Sequence, residues 1–74
     1  MDMKFDYGDE VFFHAKDDAG NVVDKRCCVV GITPIEHEEQ EIVFKYPLGT
    51  VLYTVEFNDG SDALVAEGDL LPAR

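Results

Sequence analysis

Leu52-Tyr-Thr-Val-Glu-Phe-Asn-Asp-Gly-Ser-Asp-Ala-Leu-Val-Ala-Glu-Gly-Asp-Leu-Leu-Pro72 reads as two short strands joined by a tight turn, then a single helical turn and a closing proline. Tyr53, Val55 and Phe57 alternate with Thr54 and Glu56, the period-2 pattern of a half-buried strand. Asn58-Asp59-Gly60 supplies the residue types that tolerate the positive φ of a hairpin turn. Asp62 to Glu67 then returns as the second strand. The same period continues upstream. Glu10 to Lys16 is expected as the first strand, with Val11, Phe13 and Ala15 on one face and Phe12, His14 and Lys16 on the other.

Between these parts the chain is punctuated by turn signals. Asp17-Asp18-Ala19-Gly20-Asn21 forms a polar loop, and Val22 to Ile32 a long second strand. The block Cys27-Cys28-Val29-Val30-Gly31-Ile32 is apolar on both faces, which suits a central strand or one that bends at Gly31. Thr33-Pro34 interrupts it. The run Ile35-Glu36-His37-Glu38-Glu39-Gln40-Glu41 is too densely acidic for a packed strand and is expected as an exposed loop or one helical turn. Ile42 to Tyr46 is expected as the third strand, with Ile42, Phe44 and Tyr46 on one face, before a turn at Pro47-Leu48-Gly49. The opening residues 1–9 form a lead-in that packs Phe5 and Tyr7 and completes the structure. The expected architecture is one all-β domain spanning 1–74, a strongly bent, five-stranded antiparallel barrel with a short 3₁₀ turn near the C-terminus.

Two patterns carry a resemblance: Tyr53-x-Val55-x-Phe57-x-Asp59-Gly60, and Val65-x-Glu67-x-Asp69-Leu70-x-Pro72. Together they resemble the C-terminal half of small SH3-like barrels, with Tudor-type and KOW-type modules nearest in appearance. Tyr7-Gly8-Asp9-x-Val11-x-Phe13 and Val29-Val30-Gly31-Ile32 look like the first two strands of such a barrel. The resemblance implies that Gly68 to Leu71 is a 3₁₀ turn plugging one end. Its motifs are short and point to a barrel rather than to a single family.

Composition limits the function classes. With 74 residues the chain forms one core, whose stability is expected to be about 3–5 kcal/mol. Sixteen Asp and Glu against six Lys and Arg give a formal charge of −10. Duplex nucleic acid carries a phosphate about every 1.7 Å and is bound through clustered cations. Lys4, Lys16, Lys25, Arg26, Lys45 and Arg74 are scattered instead, so direct nucleic-acid binding is disfavoured. No apolar run reaches the about 18 residues of a membrane helix, and no signal-peptide pattern is visible, so a cytoplasmic protein away from the membrane is expected. The acidity either keeps the protein soluble or steers a basic partner toward it.

Few residues suggest chemistry. Cys27 and Cys28 are adjacent, so strand alternation sends their side chains to opposite faces; at least Cys28 is expected in the core, with a redox role for Cys27 the weaker reading. There is no second cysteine pair for a zinc site. His37 lies among Glu36, Glu38 and Glu39, but neighbours on an extended segment do not converge on one ion. Ser61 is the sole serine and has no base placed beside it by spacing. Neither an enzyme nor a cofactor is expected. Tudor-type readers hold methylated residues in aromatic cages, and Tyr7, Phe12 and Tyr46 are the candidates for one here, the other aromatics being needed for the core.

The acidic run is the best candidate for binding. Glu36, Glu38, Glu39 and Glu41 would be rim charges, with Ile35, Tyr46 and Leu48 as apolar anchors. Asp59, Asp62, Glu67 and Asp69 form a second acidic group near the hairpin, which the barrel could bring beside the first. In size and charge the chain is similar to the small acidic immunity proteins of bacterial polymorphic-toxin systems, and to anti-CRISPR proteins. The likeness implies a protein-binding inhibitor that blocks a basic toxin or nuclease. A Tudor-like reader of a peptide or methylated residue is the alternative, a KOW-like accessory domain ranks last for want of a basic face, and a homodimer is left open.

Overall fold

The computed structural model describes residues 4–73. Its elements are β1 (Glu10–Lys16), β2 (Val22–Pro34), α1 (Glu38–Phe44), β3 (Val51–Phe57), β4 (Asp62–Ala66), a 3₁₀ turn (Glu67–Asp69) and β5 (Leu70–Pro72). The fold is all-β: one antiparallel five-stranded sheet in the order β4-β3-β2-β1-β5. The 3₁₀ turn is present, starting at Glu67.

The sheet does not close into a barrel. β4 pairs only with β3 and β5 only with β1, so both remain edges. The chain passes from one edge to the other through the 3₁₀ turn, which lies against β1 and β3 rather than extending a ladder. β5 is only three residues long, opposite Val11–Phe13, which is too short to bridge the gap. Of the opening residues 1–9, expected to complete a barrel, the described residues 4–9 contribute Phe5 to the core but no strand, and 1–3 lie outside the described residues.

The core follows from register. Residues directly opposite in an antiparallel pair share a face. Val11, Cys27 and Phe57 form one row across β1, β2 and β3; Val29, Val55 and Ala63 form a second across β2, β3 and β4; and Ile32, Tyr53 and Val65 form a third. Leu70 joins opposite Phe13. The Phe5 and Tyr53 rings pack in a T-shape with centres 5.6 Å apart, and those of Phe13 and Phe57 lie 6.2 Å apart. The expected alternation in β1 and β3 therefore holds.

Tyr53 joins three parts of the chain. Fully buried, it donates its hydroxyl to a Glu67 carboxylate oxygen at 2.6 Å and accepts the Phe5 N–H at 3.3 Å. The same Glu67 oxygen accepts the Lys4 N–H at 3.1 Å. Burial, followed by the bond to Glu67, pushes the Tyr53 hydroxyl pKa up.

The bend in β2 is local. Register shifts between Val29 and Gly31, which opposes Thr54. A Cβ at Gly31 would stand 3.2 Å from both Cβ and Oγ1 of Thr54, tighter than ordinary van der Waals contact. Gly31→Val is therefore expected to destabilise the fold by about 1–3 kcal/mol through overpacking. Urea denaturation measures it, and an unchanged midpoint would show that Thr54 yields freely.

Three further expectations are corrected. Thr33 and Pro34 do not interrupt the second strand but end it, opposite Leu52 and Val51. Residues 42–46 are not the third strand: Ile42 to Phe44 end α1, and Leu70–Pro72 supplies the fifth strand instead. The cysteines are also reversed. Cys27 is the buried thiol, opposite Val11 and Phe57, whereas Cys28 is half-buried on the outer face, opposite Glu10 and Glu56. Among the described residues no helix is long and apolar enough to cross a membrane.

Candidate functional site

The connection from β2 to β3 is braced at its base. Ile35 N–H donates to the Thr50 carbonyl at 2.8 Å, and Gly49 N–H to the Ile35 carbonyl at 2.9 Å, so the two ends of the loop are pinned together. Gln40 organises the helix start: its side-chain oxygen accepts the Glu36 and His37 N–H groups at 2.8 and 3.0 Å, and its amide donates to the Pro34 carbonyl at 3.1 Å. This is the reach-back half of a capping box, with His37 as the extended N-cap residue. Glu38, Glu39 and Glu41 lie in the first turn, where the positive end of the helix dipole favours carboxylates. Lys45 ends the helix in the left-handed region at φ 61°, donating its N–H to the Glu41 carbonyl. A Glu41 carboxylate oxygen then accepts the Leu48 N–H at 3.0 Å, tying the following turn back onto the helix.

A helix so held has an inner and an outer side. Gln40, Glu41 and Phe44 are half-buried; Glu38, Glu39, Ile42 and Val43 are exposed. The last four lie at i, i+1, i+4 and i+5, so they share one stripe, with two carboxylates followed one turn later by two branched aliphatics. Ile42 is 77 % exposed and Val43 71 %, the highest values of any large apolar residue among the described residues, and Leu48 beyond the helix is 50 % exposed. Apolar side chains are thus held in solvent by a short, backbone-braced helix.

The expected site residues distribute unevenly. Glu36, Glu38 and Glu39 are exposed on this knuckle, as is Leu48. Glu41 is engaged with Leu48, and Tyr46 is half-buried. Ile35 has no exposure at all, so it is a support of the knuckle and not an anchor. Ile42 and Val43 are the exposed apolar pair of the helix instead, hidden in the sequence by an alternation that reads as strand.

The second acidic group is split: Glu67 and Asp69 follow Ala66, opposite Leu52 at the knuckle end of β3, whereas Asp59 and Asp62 are not beside the first group. The knuckle joins the sheet where Pro34 opposes Val51, whereas Asp62 opposes Glu56, five residues further along β3. At about 3.4 Å per residue that is about 17 Å. Asp59 is exposed and shapes its own turn, accepting the Ser61 N–H at 2.9 Å and the Ser61 hydroxyl at 2.6 Å. Those bonds to Ser61 hold its carboxyl below the ordinary carboxylate pKa. Glu67 is committed to Tyr53 and Lys4. Asp62 and Glu56 face each other, and neither makes an ion pair among the described residues.

Basic groups lie mainly on the β1–β2 hairpin. Arg26 pairs with Glu10, His14 contacts Asp24 at 2.8 Å, and the Lys25 ammonium sits 5.8 Å from the centre of the Phe57 ring. Among the described residues, no three His, Cys, Asp or Glu side chains are grouped to hold a metal ion. The Cys27 thiol points at the Val11 carbonyl at 3.6 Å, and burial pushes its pKa up, away from nucleophilic character. Ring contacts among the described residues join Phe5 to Tyr53 and Phe13 to Phe57, so Tyr7, Phe12 and Tyr46 do not pack together as cage walls.

The chain matches no protein-family model, and no curated protein or solved structure matches it either.

Proposed function

We propose that this domain is a protein-binding inhibitor of the immunity type, an SH3-like module that blocks a basic toxin or nuclease in the cytoplasm. The observation that carries the reading is the outer stripe of α1, where exposed Ile42 and Val43 adjoin exposed Glu38 and Glu39. Interfaces draw most of their energy from a small apolar centre, while rim charges set the rate and specificity of encounter. The knuckle has both parts, and the formal charge of −10 adds long-range attraction for a cationic surface. Its braced backbone lowers the ordering cost of binding. No particular observation favours the Tudor-like reading over this one.

The test uses the partner recovered from host extract on the immobilised domain. Changing Glu36, Glu38 and Glu39 together to Gln, and leaving Glu41 to brace Leu48, is expected to slow association by about tenfold or more at low salt. It should also flatten the dependence of that rate on ionic strength. Stoichiometric domain should abolish the partner's activity. An association rate equal to wild type at low and high salt would remove the acidic knuckle from the mechanism.

A further inference from the structure

We propose that the free edge of β4 is a strand-addition site for an extended, basic segment of a partner protein. β4 (Asp62–Ala66) has β3 on one side and no strand on the other, leaving a row of backbone N–H and C=O groups without a ladder. Exposed edges of this kind recruit strands unless they are blunted by proline, lysine, a bulge or shortness. The other edge is blunted: β5 is three residues long and ends at Pro72. β4 carries no proline, glycine or lysine over its five residues, and the sheet's register shift lies elsewhere, in β2. The two edges of one small sheet are therefore unequal.

The side chains specify the occupant. On the outer face Asp62 and Leu64 are exposed, Leu64 by 42 %, while Val65 faces the core between them and Ala66. Asp62 stands directly opposite Glu56 across the β3–β4 ladder, and both are exposed. The ion pairs among the described residues are His14–Asp24 and Arg26–Glu10, so neither carboxylate of this cross-strand pair has a cation. Like charges directly opposite in a sheet repel, and a cation beside them converts the repulsion into attraction. A strand laid along β4 with Lys or Arg next to Asp62 and an apolar residue next to Leu64 does both tasks. Its required pattern is basic and apolar residues on alternate outward positions. A second copy of this chain is the poorer occupant, because it joins two bodies of charge −10 and brings no cation to Asp62. The proposal shares with the functional reading above only the positive charge of the partner; the surface is a different element from α1.

The experiment titrates isotope-labelled domain with a short, end-blocked peptide in which Lys and Val alternate at every second position with Thr between them, so that both project from one face of an extended strand. A control peptide has the same composition in two blocks. Strand addition predicts that backbone amides of 62–66 shift and gain hydrogen-exchange protection with the alternating peptide, and that the block peptide binds more weakly. Asp62→Lys should weaken the alternating peptide by about 2- to 30-fold, since one attraction becomes one repulsion. Equal binding of both peptides, or perturbation confined to 38–48, would overturn the proposal while leaving the α1 reading standing. Concentration-dependent dimerisation with protection at 62–66 and no peptide effect would overturn it in favour of a second copy. The amide map is read on wild-type protein, so the outcome does not depend on the variant folding.

Discussion

Tyr53→Ala is expected to leave the domain largely unfolded at room temperature. The ring is fully buried and is the largest side chain in the core. Removing a buried aromatic costs about 3–5 kcal/mol, against a total stability of about 3–5 kcal/mol for a chain of this size. Loss of the strand signal by circular dichroism, and collapse of amide dispersion by NMR, would register the effect. Tyr53→Phe isolates the hydroxyl. It keeps the packing against Phe5 but leaves the Phe5 N–H and one interaction of the Glu67 carboxylate unmade. That is expected to cost about 1–3 kcal/mol and lower the urea midpoint by about 1 M or more. An unchanged midpoint would mean that the link from the lead-in to the 3₁₀ turn contributes nothing.

The same residue gives the pH dependence. Tyr53 and Cys27 both have folded-state pKa values raised, chiefly by burial. A raised pKa means the unfolded chain gives up its proton first, so the associated stability is fully present below the unfolded values. Those are about 8.5 for Cys and about 10 for Tyr. Stability is therefore expected to hold level from neutrality to about pH 8.5, then fall as pH rises through the folded-state values. The decline should be shallower in Tyr53→Phe. A midpoint that stays flat through alkaline pH in the wild type would contradict the burial of both groups.

The parts of this fold that were legible in sequence are those where one local signal suffices. β1 from His14 to Lys16 and β3 from Tyr53 to Phe57 alternate because one face is core, whereas Leu52, on the other face of β3, is fully buried as well. Gly20 and Gly60 take positive φ, 83° and 86°, in the turns where polar clusters announce them. The start of α1 was open to reading as a helical turn, but its end was not, because Ile42, Phe44 and Tyr46 alternate like a strand and seven residues span only about two turns, too few to establish a 3.6-residue period. What decides for helix is the fit of Gln40 to Pro34, Glu36 and His37, together with the turn at Lys45. Ile35 looked like part of a charged loop, yet its burial is imposed by hydrogen bonds to Thr50 and from Gly49, partners about fifteen residues away. Openness of the sheet was equally hidden, since it depends on β5 being only three residues long. Half of the candidate site was readable as charge, and its apolar centre was not.

That apolar centre yields the sharpest separation of binding from folding. Ile42→Ala with Val43→Ala is expected to leave fold stability unchanged or raise it by about 0.5–1 kcal/mol. Both side chains are mostly in solvent, and alanine is the better helix former than either branched residue. Binding should respond oppositely. If these two residues anchor the partner, their joint truncation costs about 2 kcal/mol or more, a fall in affinity of about 30-fold or more. The loss should appear in the dissociation rate, because short-range apolar contacts act after encounter, whereas the Glu-to-Gln changes act on association. Paired kinetics and denaturation on the double variant check both signs at once. Val22→Ala serves as the comparison, being an exposed aliphatic truncation at the start of β2, away from both the knuckle and the β4 edge. Wild-type dissociation with raised stability would show that Ile42 and Val43 are merely solvent-exposed, and would place the contact with a basic partner on another face of the domain.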